Sequence, residues 1–390
     1  MWFVLAPFAL AGSTTWETVA GDDTDPSELM FDAAFVHQVE ITLGAQAIDH
    51  LFSDGYTYVH GAVTWDGYAW PDVGVRLKGK VGSFRDLNGK SGFKIDLGEW
   101  GGTERLGGLQ QITLNNNVQD CSMIKTPIGY QIFEIGEIPA SRVAYAWVSV
   151  NGQPYGLYTV PESVDDAFLE RNYPDPTGNL YDGKYAFYGG WNYTLIDFSD
   201  PLDELFQLEE GVDVGHVDIF AITGAVQGTA YQASFYAETG LVLDWPEIHT
   251  FLAAEELVGH VDGYAMNTNN YRVYFDPVDG LAEMIPWDLD NAYIDDWAWG
   301  KSWMSPLGFI ARYCWADPAC YAAQREAVID LATAVDAFPW GPEIDRWDQL
   351  TRPYVEADPR RECTDDESTR AGLRDWMATE PGNVLSLWGG

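Results

Sequence analysis

The stretch HVDGYAMNTNNYRVYFDPVDGLAEMIPWDLD, from His260 to Asp290, decides how the chain is read. Two alternating apolar runs, YRVYFDP and LAEMIP, surround the turn sequence PVDG. That pattern predicts a β-hairpin. The second run leads straight into Asp288 and Asp290. If the strand continues through them, side chains two residues apart share a face and both carboxylates aim at one point. Two anions share a site only with a cation, a proton or full hydration between them. The plainer alternative is the polar end of a strand.

Just upstream, WPEIHTFLAAEELVGHVDGY predicts a helix, because Trp245, Ile248, Phe251 and Leu252 recur at helical spacing and Asp244 is placed to cap it. Beyond that helix, His260, Asp262 and Asn267 have the spacing of the H-R-D-x-x-x-x-N loop of protein kinases. In that loop the Asp receives the substrate hydroxyl proton and the Asn holds magnesium. A short motif of this kind also matches by chance, and a helix end whose His and Asn satisfy terminal carbonyls accounts for it equally well.

Toward the N-terminus, HQVEITL, YTYVHGAVTW, VGVRLKG, SGFKIDL and QQITLNN read as strands. MIKTPIGYQIFEIG has helical spacing, with Pro127 limiting where the helix starts. VAYAWVSVNGQPYGLYTVPE is a hairpin about Asn151-Gly152. The first half is thus mostly sheet with one helix. The second half is mainly helical around one embedded hairpin, an α+β division.

The chain carries 60 acidic and 21 basic residues, a formal net charge of −39. Such a surface repels nucleic acid and anionic membrane. Against that background Arg76, Lys78, Lys80, Arg85, Lys90 and Lys94 form a basic cluster around the Gly-bearing connection KVGSFRDLNGK. Lysines and the backbone amides of such a turn are able to meet phosphates. No Walker A pattern or GxGxxG occurs, which argues against P-loop and dinucleotide enzymes.

The first residues, MWFVLAPFALAGSTT, are apolar, too short to span a membrane, and contain the small-x-small site Ala9-Leu10-Ala11. They predict a signal peptide over 1–11 and an exported protein, followed by an acidic leader over 12–30 and one folded region over 31–390. No other stretch reads as a transmembrane helix. Four cysteines, Cys121, Cys314, Cys320 and Cys363, permit two disulfides, and Cys314 and Cys320 are close enough to pair locally.

Six blocks, in order, resemble the spore-coat protein H (CotH-like) kinases. They are VGVRLKGKVGSFRDLNGKSGFKIDL, LNNNVQDCSMI, IPASRVAYAWVSVNGQPYGLYTVPESVDDAFL, GNLYDG, VDGYAMNTNNYRVYFDP and IPWDLD. The resemblance runs from about Phe31 to Asp290 and more weakly into the tail. It implies an atypical protein-kinase-like fold, with a β-rich N-terminal lobe over about 31–162 and a mainly helical C-terminal lobe over about 163–390. It also implies a secreted enzyme that binds ATP with Mg2+ or Mn2+ and phosphorylates Ser or Thr of extracellular or surface proteins.

Carried onto this chain, the resemblance makes Asp262 the catalytic residue and places the metal at Asp288 and Asp290, with Asp290 favoured. Asn270 matches the family's metal-loop Asn, whereas the kinase spacing points to Asn267. Lys90 and Lys94 fall in the block that supplies the phosphate-binding lysine, together with Arg76 and Lys78. Gly79, Gly82 and Ser83 form the phosphate-covering turn. Glu162 is either a hinge contact for adenine or a hairpin-end carboxylate. One departure stands out. Relatives often have an acidic residue after the D-x-S block, and here the sequence is Lys125-Thr126-Pro127. The phosphate-binding lysine then lacks its acidic partner unless Glu134 or Glu162 substitutes. A catalytically weak pseudokinase, acting as a surface or coat binding protein, is the alternative.

Overall fold

The alternating runs of the first half join into one seven-stranded sheet. The computed structural model describes residues 26–103, 105–106, 108–183, 186–188, 192–194, 197–198, 205–212 and 215–389. The strands are β1 (Val36–Leu43), β2 (Val59–Trp65), β3 (Tyr68–Lys78), β4 (Gly92–Asp96), β5 (Gln111–Leu114), β6 (Val143–Val150) and β7 (Gln153–Pro161). Their order across the sheet is β5-β4-β3-β2-β1-β6-β7. Only the β1–β6 pair is parallel; the other pairs are antiparallel. The β6–β7 turn has φ of 49° at Asn151 and 71° at Gly152, the left-handed pair that a tight hairpin needs. The sheet curls until its far edge meets β7, where Asn115 and Thr159 exchange backbone bonds of 2.8 and 3.1 Å.

Two helices belong to this half, not one. α1 (Ala45–Ser53) crosses from β1 to β2, and its N-cap is Gly44, which has no side chain to announce a helix start. α2 (Lys125–Ile135) holds Pro127 in its first turn, where no helical amide is required. It packs against the second half, with Phe133 5.7 Å from Phe251 between ring centres.

After Pro161 the chain forms α3 (Asp166–Asn172), β8 (Asn179–Gly183), the short pair β9 (Ala186–Tyr188) and β10 (Asn192–Thr194), and β11 (Phe206–Glu210). Then come α4 (Val217–Gly228), α5 (Phe235–Thr239), α6 (Trp245–Val258), α7 (Tyr264–Asn267), β12 (Tyr271–Phe275) and β13 (Ala282–Pro286). The tail is α8 (Phe309–Ala316), α9 (Pro318–Ala337), α10 (Trp340–Ala357) and α11 (Asp366–Gly389). The expected β12–β13 hairpin is part of a four-stranded sheet, β11-β8-β12-β13. α6 starts as expected, with Asp244 accepting from the Glu247 amide, and ends at Gly259, whose φ is 63°.

β13 stops at Pro286, so Asp288 and Asp290 do not alternate along a strand. Asp288 has φ 51°, and residues 289–291 form a 3-10 turn. Residues 1–25, with the expected signal peptide and most of the leader, lie outside the described residues. The end of that leader is packed, since Ser27 and Met30 are buried and the Met30 carbonyl accepts from His37 Nε2 at 2.8 Å. Both disulfides form, Cys314–Cys320 and Cys121–Cys363. No helix among the described residues is long and apolar enough to cross a membrane.

Candidate active site

A cleft of about 710 Å³ opens between the large sheet and the loops that follow α6 and β13. From the sheet come Arg76 and Lys78 at the end of β3, the turn Gly79–Ser83, and Lys94 on β4. From the opposite side come Asp262, Asn267, Asn270, Asp288 and Asp290. The register explains part of this convergence: Arg76 lies opposite Lys94 across β3 and β4, so both side chains leave the same face. All the expected site residues line the cleft except Lys90 and Glu162.

Asp262 sits inside a ring of amides. Its Oδ1 accepts from Asn267 Nδ2 at 2.6 Å and from Asn269 Nδ2 at 3.3 Å, and its Oδ2 accepts from Asn270 Nδ2 at 3.3 Å. The loop that carries it is fixed from beneath by the buried Glu255 carboxylate, which accepts from the Tyr264 amide at 2.6 Å and the Ala265 amide at 2.7 Å. The two asparagines at issue differ. The Asn267 side-chain oxygen accepts from Lys301 Nζ at 2.8 Å. No donor among the described residues occupies the Asn270 oxygen, and the Asn270 backbone carbonyl accepts from the Trp287 amide at 3.0 Å.

Asp288 and Asp290 make an anionic pair. Asp288 Oδ1 is buried without a hydrogen-bond partner. Burial first, and the Asp288 charge second, push Asp290 well above the usual carboxylate range. Lys78 and Lys125 offset that only in part. A half-buried carboxylate pair with an orphaned oxygen, sharing the cleft with the Asn270 side-chain oxygen, is a set of hard donors that fits Mg2+ or Mn2+.

The opposite wall is cationic. Lys78 Nζ donates to Asn115 Oδ1. Lys94 is pulled down to about 8, chiefly by burial and then by Arg272 and Arg76. The turn between them needs glycine: φ is 105° at Gly79 and 84° at Gly82, and a Cβ on Gly79 would lie 2.9 Å from the Phe84 nitrogen. Ser83 Oγ accepts from the Lys80 amide at 3.1 Å, and Asn116 Nδ2 donates to the carbonyls of Ser83 at 2.9 Å and Lys90 at 2.7 Å.

Two assignments are corrected. Lys90 is buried outside the cleft lining, its Nζ 2.5 Å from Asp358 Oδ2, which ties it to the segment after α10. Glu162 turns from the cleft and holds Arg142 and Arg171, each at 2.6 Å. Glu134 does not line the cleft either, so neither glutamate replaces the acid missing at Lys125; the amide oxygen of Asn115 holds Lys78 instead. Arg272, Lys80 and Asp182 also line the cleft. Arg272 sits in an apolar alternating run and reads there as a strand residue, whereas Lys80 belongs to the basic cluster and could have been found from it.

The sequence profile described as CotH kinase protein matches residues 75–378. The chain belongs to the CotH kinase protein family. Its similarity to the inner spore coat protein H of Bacillus subtilis (strain 168) is 26% identity over 196 residues, 48% of this chain and 51% of that protein. The match therefore spans about half the length of that relative. Among solved structures, the fold resembles a chain of the Shewanella oneidensis MR-1 toxin–antitoxin complex of HipA, HipB and operator DNA. That likeness has a TM-score of 0.36 and 13% identity, and covers 95% of this chain and 81% of the other.

Proposed function

We propose that this CotH family member is a secreted, metal-dependent protein kinase that transfers the ATP γ-phosphoryl group to Ser or Thr of surface or extracellular proteins. The observation that carries the reading is the opposition of charges across one cleft. Arg76, Lys78, Lys80, Lys94 and Arg272 gather there in a chain of net charge −39, facing Asp262, Asp288 and Asp290. Family membership supports the kinase assignment, and the two disulfides suit an oxidising compartment.

Each residue has a role that follows from its surroundings. Asp288, Asp290 and the Asn270 side-chain oxygen would hold Mg2+ or Mn2+. A bound metal supplies charge neutralisation on the phosphate oxygens. Lys78, held by Asn115, and Lys94 bind the phosphates, and the amides of the Gly79–Ser83 turn cover them. Asp262 keeps one lone pair beyond its three amide bonds, so it is able to accept the proton of a substrate hydroxyl. The hydroxyl oxygen bonds to the γ-phosphorus, the bond to the leaving ADP oxygen breaks, and the proton rests on Asp262 until solvent takes it. With the reactants positioned, catalysis is orientation plus electrostatics.

One observation favours a second reading. Among the described residues no acid forms an ion pair with Lys78, which suits a pseudokinase that binds nucleotide at a surface or coat without turnover. A single experiment separates the two: incubation with γ-labelled ATP and Mn2+ or Mg2+ and a generic protein acceptor, followed by phosphoamino-acid analysis. The kinase gives metal-dependent phosphoserine or phosphothreonine that disappears in Asp262→Ala. Nucleotide binding with no transfer to any acceptor supports the pseudokinase.

A further inference from the structure

Beyond the Asp288–Asp290 turn, the chain folds back onto the loop that carries Asp262. There the half-buried Lys301 donates from Nζ to the Met266 carbonyl at 2.6 Å and to Asn267 Oδ1 at 2.8 Å. Asn267 donates in turn from Nδ2 to Asp262 Oδ1 at 2.6 Å. Three more bonds fix where Lys301 stands. Its own amide donates to the Asp296 carbonyl at 3.1 Å, and the Trp303 amide donates to Asp296 Oδ2 at 3.1 Å. Further on, the Leu307 amide donates to the Ala265 carbonyl at 2.8 Å. Gly300, at φ 66°, turns the chain into Lys301.

The relay Lys301–Asn267–Asp262 has one direction. An ammonium only donates and a carboxylate only accepts. The amide between them therefore has a single orientation, oxygen toward Lys301 and nitrogen toward Asp262. Without Lys301, nothing on the oxygen side holds that orientation, and the amide is free to turn its oxygen to the carboxylate. The two charges also feel each other: burial lowers the Lys301 pKa, and the Asp262 carboxylate opposes that. Asp262 Oδ1 accepts two amide bonds and Oδ2 one, so the open lone pair lies on Oδ2. We infer, resting on the kinase reading above, that Lys301 is a positioning residue: through Asn267 it sets the Asp262 carboxylate so that this lone pair meets the acceptor hydroxyl. Lys301 does not touch the reacting atoms. Its effect is on orientation, where a small misplacement costs rate and leaves ground-state binding alone.

Two readouts test it. The first is hydrogen exchange of the Asn267 side-chain amide, followed by NMR in the metal-free protein. Exchange should be slow in the wild type, fast in Lys301→Met, and slow again in Lys301→Arg, which keeps the charge and the donors. The second is transfer from γ-labelled ATP with Mn2+ to dephosphorylated casein or to the protein itself. Lys301→Met should lower kcat roughly 10–100-fold while KM for ATP stays at the wild-type value. Lys301→Arg should recover most of the loss. Lys301→Met/Asn267→Ala should be no slower than Asn267→Ala alone, since residues acting in series are not additive. An Asn267 amide equally protected in Lys301→Met, an unchanged kcat, or losses that multiply in the double variant would overturn the role of Lys301 while leaving the kinase reading intact. A wild type that transfers no phosphate would overturn the kinase reading and this inference with it, even where the amide result holds. Should Lys301→Met fail to fold, Lys301→Gln, shorter and uncharged, should show the same fast exchange and the same loss of kcat.

Discussion

Lys90 Nζ lies 2.5 Å from Asp358 Oδ2, with the two side chains 1% and 0% exposed. The same Asp358 oxygen accepts from the Leu157 amide at 3.0 Å. The pair therefore joins the basic turn, β7 and the segment after α10. Removing one partner leaves a buried charge alone, which costs roughly 3–5 kcal/mol. Lys90→Ala should thus lower thermal stability strongly, yet leave the nucleotide affinity of the folded protein near wild type. Lys78→Ala should do the reverse, weakening ATP binding with little change in Tm. Equal losses of affinity in the two variants would return Lys90 to the phosphates.

The disulfide Cys121–Cys363 closes a span of 242 residues and fastens the turn before α2 to the chain ahead of α11. Long closed loops restrict the unfolded chain most. Cys121→Ser should therefore cost roughly 2–4 kcal/mol. Reductant should then lower the Tm of the variant less than that of the wild type. A wild-type Tm that is unmoved by reductant and equal to that of Cys121→Ser would show that the other contacts of this segment, Arg85 with Glu362 and Arg360 with the Gly89 carbonyl, carry it alone.

The pattern of legibility in the sequence follows range. The β12–β13 hairpin and the α6 cap were readable because their signals are local: alternation, a turn, and an Asp at the right position. β8 and β11 were not, since neither pairs with the strand next to it in sequence and no short turn announces them. α1 was hidden by its Gly N-cap. In the site, the residues from Arg76 to Ser83 and from Asp262 to Asp290 line one cleft because motif order survives folding. Lys90 and Glu162 failed because their partners are remote or lie off the motif: Asp358 stands 268 residues from Lys90, and Arg142 and Arg171 flank Glu162 without any pattern.

Stability should depend on pH in a direction set by buried acids. Burial pushes Glu256 up to about 8, with Trp388 Nε1 donating to both its oxygens, and Asp197 up to about 7. A carboxyl whose folded pKa is raised contributes stability that is full below its unfolded value of about 4–4.5 and is lost as pH climbs through the folded value. Tm should fall between pH 5 and pH 8. Glu256→Gln, which keeps an acceptor for Trp388, should recover roughly 1–3 kcal/mol at pH 8 and little at pH 5. A Tm that rises over this interval contradicts the neutral state of these groups.

Asn270 and Asn267 should separate by metal. Asn270→Ala removes an unoccupied carbonyl oxygen, and is expected to raise the Mn2+ concentration needed for half-maximal nucleotide binding roughly 10–100-fold, as loss of a metal-supporting group does. Asn267→Ala removes an oxygen already held by Lys301 and should shift it less. Titration of Mn2+ at fixed ATP reads both, and a larger shift in Asn267→Ala would reverse the assignment.

The Asp288–Asp290 pair is expected to hold a divalent metal for a nucleotide in the cleft. Calorimetric titration of ATP into the purified protein, with Mn2+ and with chelator, tests it most directly. Binding with Mn2+ should be largely lost in chelator and in Asp290→Ala, while Asp290→Ala keeps its Tm. ATP binding that is equally tight with chelator, or undiminished in Asp290→Ala, would contradict it.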